Sequence, residues 1–273
     1  MRGQLTLLSS NLRPPASDLY SMRIVTYNVH KCRGLDRRVR PARIASVLRE
    51  VDADIIALQE VLSVGGAARE MDQARFIAEE LGYDYCIGEN RRLSGGAYGN
   101  VILSRLPWRH VHNYDITWRG RERRGCLRVD IEMGDDARSD GNGNGTTRGA
   151  LLHLFNVHLG TAYIERRHQA RQLVGDKILG NAELTGARIV LGDFNEWTKG
   201  LATRLLTEQL QSADVRTHLR SPRTYPGALP LVHLDHIYFD PALELEQLTL
   251  HKSLTALVAS DHLPLVADFR VRA

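Results

Sequence analysis

The chain has few cysteines, few lysines and no long apolar run. Its 273 residues include three cysteines, Cys32, Cys86 and Cys126, none in a C-x-x-C pair, so neither a disulfide framework nor a zinc ribbon is predicted. No apolar run approaches the ~18–20 residues of a membrane span. The apolar stretch at 5–8 is too short for the ~7–15-residue core of a secretory signal. These absences predict a cytoplasmic protein without a transmembrane segment.

The basic residues are almost all arginine. Lysine occurs only at positions 31, 177, 199 and 252, and the formal net charge is +4. A planar guanidinium binds phosphate oxygens two at a time, which favours a phosphorylated substrate, although a solvated surface explains the same composition. A net charge this small does not by itself indicate a nucleic-acid partner. Nothing in the composition implies a stable protein partner.

The chain reads as a flexible leader, 1–21, followed by a single domain, 22–273. The predicted strands are 23–30, 54–59, 83–88, 100–104, 111–118, 126–133, 151–157, 188–191, 235–239, 245–250 and 265–271. The predicted helices are one that begins at Pro41 and those at 70–81, 163–179 and 201–210. Four successive strands without a long helix between them require a partly antiparallel sheet. The glycine-rich polar stretch 134–149 predicts a mobile hairpin loop.

Polar side chains stand where many of these strands begin or end. They are Asn28, Glu60, Asn156, His158, Asp193, Asn195, Asp235, His236, Asp261 and His262. In layered α/β folds the loops at strand ends converge, so residues distant in sequence can share a site. Carboxylate and amide oxygens suit Mg²⁺ or Mn²⁺, and histidines beside carboxylates serve as general acids or bases near neutral pH. The combination predicts metal-assisted cleavage of a phosphate ester by an activated water.

Six motifs carry a family resemblance. TYNVH, LQEV, NVHLG, GDFNEW, LDHIYF and SDHLPL, in this order, resemble the endonuclease/exonuclease/phosphatase superfamily, which includes DNase I, exonuclease III and neutral sphingomyelinases. The resemblance covers about residues 22–271. It implies an α/β fold of the DNase I-like type, a four-layer sandwich in which two mixed β-sheets pack face to face with helices on both outer sides.

The resemblance also implies a metal site and a general base. Glu60 would hold a Mg²⁺ or Mn²⁺ ion, with Asn28 in the same shell. His262 would take a proton from the attacking water, oriented by a carboxylate for which Asp235 is the first candidate. Asp261 would lie beside the metal or support His262.

Further matched positions imply contacts with the phosphate. Asp193 and Asn195 would contact the water and the phosphate, and His158 would bind a phosphate oxygen or assist the leaving group. Two more substrate-binding candidates come from the residues themselves. Arg124 stands next to a predicted strand in an arginine-rich segment, and Asn100 lies in a segment that could line the pocket.

The substrate stays open at this level. A nuclease-type phosphodiesterase fits the arginine-rich segments, and an alternative phosphodiesterase or phosphatase acting on a phospholipid or another head group fits the histidine at 158. Exonuclease III-type enzymes rely on a tyrosine in that part of the site, which argues against an abasic-site endonuclease. A non-catalytic binding module is disfavoured, because every matched catalytic position carries a competent residue.

Overall fold

The computed structural model describes residues 21–66, 68–133, 150–214, 224–225 and 232–271. The strands within these ranges are β1 (Ser21–Asn28), β2 (Ile55–Ser63), β3 (Asp84–Leu93), β4 (Gly96–Ser104), β5 (Trp108–Asp115), β6 (Gly125–Met133), β7 (Ala150–His158), β8 (Ala187–Asp193), β9 (Gln211–Ser212), β10 (Asp235–Phe239), β11 (Leu243–Leu250) and β12 (Leu265–Val271). The helices are α1 (Pro41–Val51), α2 (Gln73–Leu81), α3 (Tyr163–Val174), α4 (Leu201–Thr207) and α5 (Ala256–Ala259), with short 3₁₀ turns at His30–Cys32 and Arg69–Met71.

The described strands form two six-stranded sheets. The first has the order β11-β12-β1-β2-β4-β3 and the second the order β5-β6-β7-β8-β10-β9. Each sheet contains one parallel pair, β1 with β2 and β7 with β8, and each parallel connection passes through a helix, α1 or α3. The other neighbours are antiparallel, so both sheets are mixed, as the resemblance implies.

Alternating side chains give each sheet two buried faces. In β10, Ile237 and Phe239 join the apolar core between the sheets, whereas Tyr238 packs with the residues of α3 and α4. In β1, Ile24 faces the core between the sheets and Val25 packs with α1. Because side chains on a strand alternate between faces, strands covered on both sides must be almost continuously apolar. The four-layer sandwich is therefore confirmed.

The β3–β4 hairpin is longer than predicted. Its strands are joined by the two residues Ser94 and Gly95, which both have positive φ angles, 51° and 79°. Two left-handed residues match the right-handed twist of the flanking strands, so a two-residue turn closes the hairpin here. The pairing then continues up to the turn from both strands, well beyond the apolar segments that the pattern identified.

Other boundaries were also wrong by several residues. The strand expected at 111–118 is Trp108–Asp115, because its pairing with β6 ends where Asp115 meets Gly125. The helix expected at 163–179 stops at Val174, where Gly175 takes up an extended conformation. The helices expected at 201–210 and 70–81 are shorter, Leu201–Thr207 and Gln73–Leu81.

The predicted leader and hairpin loop fall mostly outside the described ranges. Residues 1–20 and 134–149 are not described, so those two predictions stand as made. Ser21, which was assigned to the leader, is instead the first residue of β1 and pairs with Arg270 of β12. Across the described ranges, no helix has both the length and the apolar character needed to cross a membrane.

Candidate active site

The predicted site residues meet at one end of the two sheets. In the second sheet, His158 of β7 pairs with Asp193 of β8, and Asp193 in turn pairs with Asp235 of β10. In the first sheet, Asn28 at the end of β1 pairs with Gln59 of β2. The carboxyl ends of the two parallel pairs lie at the same edge, because Asn28 of the first sheet contacts Asp193 of the second. This is the edge where α/β folds place their ligands.

Asn28 connects the two sheets. Its side chain is buried, and the amide nitrogen Nδ2 donates to Asp193 Oδ2 (3.0 Å) and to Glu60 Oε1 (3.3 Å). The amide oxygen accepts the backbone N–H of His30 (3.1 Å). Asn28 thus binds two carboxylates through one nitrogen. Of the two, the carboxylate of Glu60 is more exposed to solvent than that of Asp193.

Glu60 stands on a β-bulge. The pairing of β2 with β4 shifts between Leu58 and Val61, and Glu60 itself has a φ of 57°. A bulge redirects a side chain, and non-glycine residues in the left-handed region cluster at functional sites. Burial opposes ionisation of Glu60, but the nearby His158 and the Lys31 ammonium, 3.0 Å from Oε2, lower the pKa of its carboxyl to about 2. Glu60 is therefore a carboxylate at neutral pH.

His262 lies between two aspartates. Its Nδ1 is 3.0 Å from Asp235 Oδ2, and its Nε2 is 3.6 Å from Asp193 Oδ2. Burial opposes protonation, but the charges of Asp235, Asp193 and Asp261 raise the pKa of His262 to about 10. Among the described residues the second carboxylate oxygen of Asp235, Oδ1, is buried without a hydrogen-bond partner. The contact with Asp235 orients the ring so that Nε2 faces the shared edge of the sheets.

His158 has the opposite electrostatic environment. Burial and the positive charge of Arg124 lower the pKa of His158 to about 4, against the pull of Asp193 and Glu60. Its Nε2 lies 3.7 Å from Asp193 Oδ2. At neutral pH this imidazole is uncharged, so it can donate one hydrogen bond without adding positive charge.

The GDFN motif forms a tight turn after β8. The backbone N–H of Asn195 donates to Asp193 Oδ1 (2.8 Å), and the Asn195 side chain donates to the carbonyl of Leu159 (2.9 Å). Asn195 has a φ of 48°, which asparagine tolerates better than most residues. The turn brings Asp193 and Asn195 together at the edge where His158 and His262 lie.

Asp261 lies at the rim rather than in the centre. Its Oδ2 is 3.5 Å from His30 Nδ1, and its negative charge contributes to the raised pKa of His262. Ser260, buried just before it, donates to the carbonyl of Asn28 (2.8 Å) and thereby ties this segment to β1. Of the two roles implied for Asp261, these contacts favour electrostatic support of His262.

The two candidate substrate-binding residues differ in what they contact. Arg124 is 7% exposed and makes an ion pair with Glu122 (Nη2 to Oε2, 3.1 Å). Asn100 is buried, and its Nδ2 donates to the carbonyls of Gly125 (3.0 Å) and Asn156 (3.1 Å) in the other sheet. Asn100 therefore braces the two sheets, and its amide oxygen Oδ1 has no hydrogen-bond partner among the described residues.

His236, next to Asp235 in sequence, faces away from the site. Because neighbouring side chains of a strand point to opposite faces, it lies on the side of Tyr238 and packs edge-on against Phe194. Its Nε2 is 3.3 Å from the carbonyl of Glu196. These contacts agree with a structural role for His236.

Sequence reasoning named Asn156 among the strand-end polar residues but missed the polar network that it forms beneath the site. Gln59 donates to Asn156 Oδ1 (2.8 Å), and Asn156 donates to the carbonyls of Leu58 and Val101 (2.9 Å each). A polar residue inside an apolar strand that is covered on both faces was the available signal, because such a residue must find a buried partner. Lys31, the rare lysine beside TYNVH, was missed as well.

Glu60 and Asp193 have the oxygen chemistry that a hard divalent cation takes. Glu60 and Asp193 present carboxylates to the same amide group, and the Lys31 ammonium already places a positive charge at Glu60. Mg²⁺ takes one or two carboxylates and keeps several waters. Among the residues that the structure describes, no group of three or more His, Cys, Asp or Glu side chains is arranged to hold a metal ion.

Comparison with known proteins gives consistent matches over most of the chain. The model of the Endonuclease/Exonuclease/phosphatase family matches residues 25–262. The uncharacterized protein YbhP of Escherichia coli K12 is 29% identical over 270 residues, which span 94% of this chain and 100% of that protein. The endonuclease/exonuclease/phosphatase of Beutenbergia cavernae has a TM-score of 0.69 at 21% identity, over 93% of this chain and 72% of that one. A mannosyl-6-phosphatase of Bacteroides thetaiotaomicron has a TM-score of 0.71 at 16% identity, over 91% and 99%. At such identities, the two solved structures show a shared fold.

Proposed function

This chain belongs to the endonuclease/exonuclease/phosphatase family, and we propose that it is a Mg²⁺- or Mn²⁺-dependent hydrolase of phosphate esters, with phosphodiesters as its substrates. The observation that carries the proposal is a continuous set of contacts from Asp235 through His262 to Asp193, and from there through Asn28 to Glu60. It combines an oriented base with an ionised carboxylate in one polar cluster.

We assign the divalent cation to Glu60, with Asn28 beside it. The low pKa of Glu60 supports this assignment, because an ionised carboxylate needs no deprotonation before it binds a cation. When bound, the cation supplies positive charge to the non-bridging oxygens of the phosphate. Lys31 supports Glu60 from the other side and keeps its carboxylate oriented.

We assign the general base to His262. Asp235 accepts the hydrogen bond from Nδ1, which leaves Nε2 as the nitrogen that takes a proton from water. A histidine with a pKa of about 10 holds a proton at neutral pH, so His262 becomes a base only when positive charge offsets the surrounding carboxylates. Asp193 and Asn195, at the same edge, are assigned to contact the water and the phosphate.

The reacting phosphate is assigned to His158, with Arg124 beside it. His158 is uncharged at neutral pH and can donate a hydrogen bond to a phosphate oxygen or to the departing oxygen. Arg124 adds a fixed positive charge close to His158, and its guanidinium matches phosphate geometry. Asn100, whose side chain is buried, is assigned instead to holding Gly125, the residue after Arg124, in place.

A substrate panel with and without metal tests the proposal. Purified protein with Mg²⁺ or Mn²⁺ is assayed on bis(4-nitrophenyl) phosphate, plasmid DNA, RNA, abasic duplex, sphingomyelin and phosphatidylglycerol. Hydrolysis of at least one diester is expected, together with its loss after exhaustive chelation and its return when metal is added back. Full activity in the chelated sample would contradict the assigned metal dependence, and the diester that is cleaved distinguishes a nuclease from a head-group hydrolase.

A further inference from the structure

A second charged cluster borders the candidate active site. Glu122, in the segment between β5 and β6, bridges two arginines: its Oε1 lies 3.0 Å from Arg91 Nη2 and its Oε2 lies 3.1 Å from Arg124 Nη2. Arg91 belongs to β3, and Arg124 directly precedes β6. A single carboxylate thus occupies the space between two guanidinium groups from different parts of the chain.

This cluster is linked to the catalytic edge through Tyr98. The guanidinium carbon of Arg91 lies 4.8 Å from the centre of the Tyr98 ring, and Lys31 Nζ lies 5.6 Å from it. Lys31 in turn contacts Glu60, the proposed cation ligand. On the other side, the charge of Arg124 lowers the pKa of His158. The two arginines therefore stand next to the position assigned to the reacting phosphate.

The carboxylate of Glu122 leaves donors of both arginines unused. In the part of the chain that the structure describes, the Nε atoms of Arg91 and Arg124 are buried without a hydrogen-bond partner, and Arg124 is 7% exposed. Buried guanidinium N–H groups are normally satisfied, and an unpaired one calls for an explanation. A phosphate group has more acceptor oxygens and more negative charge than a carboxylate, so it can satisfy donors that Glu122 does not reach.

We propose that Arg91 and Arg124 form a second anion-binding subsite beside the candidate active site, which Glu122 fills in the free protein and which a second phosphate group of the substrate takes over. Because this second phosphate belongs to the substrate whose ester is cleaved, the subsite rests on the proposed function. The substrate class is then a phosphate ester with another phosphate nearby.

The mobility needed for the exchange is built into the segment. Glu122 lies outside any strand or helix and its side chain is 37% exposed. Its carboxylate can therefore rotate into water without breaking a strand-pairing hydrogen bond. An ion pair at this exposure contributes little to stability. In the free protein its negative charge offsets the repulsion between the two arginines, and an incoming phosphate takes over that role.

Binding of a matched pair of small anions tests the subsite without any turnover. Titration calorimetry in the presence of a chelator compares 1,3-propanediol bisphosphate with n-propyl phosphate. The variants are Arg91→Met, Glu122→Gln and, as a control, Arg92→Met. Methionine at position 91 keeps an unbranched apolar side chain beside Tyr98. Arg92 adjoins Arg91 in sequence but pairs with Glu89 on the surface, so its loss changes the net charge equally and leaves the subsite intact.

The wild type is expected to bind the bisphosphate at least roughly tenfold more tightly than the monophosphate, since charge-assisted hydrogen bonds are the strong ones. Arg91→Met should remove most of that preference, Arg92→Met should keep it, and Glu122→Gln should increase it. A wild-type ratio near one, or equal ratios in the two arginine variants, overturns the subsite. An unchanged ratio in Glu122→Gln also overturns it. Because Glu and Gln have nearly the same shape, this variant tests the charge without disturbing the packing.

A matched pair of esters then separates this proposal from the hydrolase assignment. Thymidine 5′-(4-nitrophenyl phosphate) and its 3′-phosphorylated form differ only in the second phosphate. We expect a lower KM for the 3′-phosphorylated ester in the wild type and in Arg92→Met but not in Arg91→Met. An Arg91-dependent preference for the bisphosphate without hydrolysis of any phosphate ester would keep the subsite and reject the hydrolase assignment.

Discussion

His262 and His153 each direct Nδ1 at a buried aspartate, but their surroundings differ. The partner of His262 is Asp235 (3.0 Å) and the partner of His153 is Asp130 (2.7 Å). Around His153 the bonding is complete on both sides: Gly186 donates its backbone N–H to Nε2 (3.1 Å), and Asp130 also accepts two hydrogen bonds from Arg128. Because Nε2 of His153 accepts this N–H, Nδ1 is the nitrogen that donates to Asp130.

Around His262 the same pair is left open. Its Nε2 faces Asp193 at 3.6 Å, and the Oδ1 atom of Asp235 has no partner among the described residues. The Asp–His contact alone therefore does not identify a catalytic pair. What distinguishes the two histidines is Nε2. In His153 this nitrogen accepts a backbone N–H, whereas in His262 it faces the converging strand ends.

The largest expected difference between the pairs is in turnover. A positioned histidine that acts as general base contributes ~10²–10⁴-fold, so His262→Ala should lower kcat by that factor or more. His153→Ala should leave kcat per folded molecule unchanged and lower stability, because Asp130 and Gly186 lose a partner. Steady-state kinetics on the diester identified by the panel measure the change. Wild-type turnover in His262→Ala, or its loss only in His236→Ala, would mean that the site has been assigned to the wrong Asp–His pair.

The second difference is in protonation of the metal-free protein. Asp235, Asp193 and Asp261 outweigh burial and raise the pKa of His262 to about 10, above the ordinary value of about 6.5. A raised pKa contributes stability that is fully present below pH about 6.5 and is lost as the pH rises through about 10. An NMR titration of the imidazole Cε1 signal should therefore show His262 still protonated at pH 8. In Asp235→Asn the pKa should fall. Titration near pH 6.5 in both proteins would contradict the charge environment described here.

The dependence of activity on Mg²⁺ should distinguish Glu60, in the proposed cation site, from Asp130, beside His153. Glu60→Gln removes a charge from the proposed cation site and should raise the Mg²⁺ concentration for half-maximal activity by roughly tenfold to a hundredfold. Asp130→Asn, which changes the charge beside the other histidine, should leave that midpoint unchanged. Thermal melts should show Glu60→Gln folded, with a Tm near wild type or above it. An unchanged Mg²⁺ midpoint in Glu60→Gln would rule out this residue as a cation ligand.

The smallest effect is expected for the stability that the Asp130–His153 pair contributes. Burial opposes ionisation of Asp130, but His153 and Arg128 lower its pKa to about 2. A lowered pKa contributes stability that is present above the ordinary pKa of about 4 and is lost as the pH falls through about 2. Asp130→Asn should thus reduce the free energy of unfolding at pH 7 by about 2 kcal/mol, with a smaller difference near pH 3. Denaturant melts at both pH values measure this, and equal stabilities at pH 7 would show that the pair does not support the fold.

Much of the fold could be predicted because local patterns specify it. The segments that became β1, β2, β7 and β8 are apolar on both faces, and strands of that kind must lie in covered sheets. Element ends were less predictable, because they depend on partners elsewhere in the chain. β5 ends at Asp115 where its pairing with Gly125 ends, and the β3–β4 hairpin extends to the turn at Ser94 and Gly95.

The candidate site could be predicted in its residue types but, apart from the expected contact between His262 and Asp235, not in its pairings. Asn28, Glu60 and Asp193 stand at the ends of apolar segments, which is visible locally. That Asn28 donates to both carboxylates follows only from the packing of one sheet on the other. The Arg91–Glu122–Arg124 cluster was hidden for the same reason, since its members come from β3 and from the segment before β6.

By itself, the sequence determined which candidate polar residues border apolar segments, because residue type and hydrophobic period are properties of short segments. The tertiary structure alone decided which Asp–His pair faces an open edge of the sheets. Asp235 and His262 are 27 positions apart, and Asp130 and His153 are 23 apart, so sequence spacing does not distinguish the two pairs. Their difference arises from strand register: Asp235 lies opposite Asp193 at the end of β8, whereas His153 lies beside the start of β8, where Gly186 supplies the N–H that closes the pair.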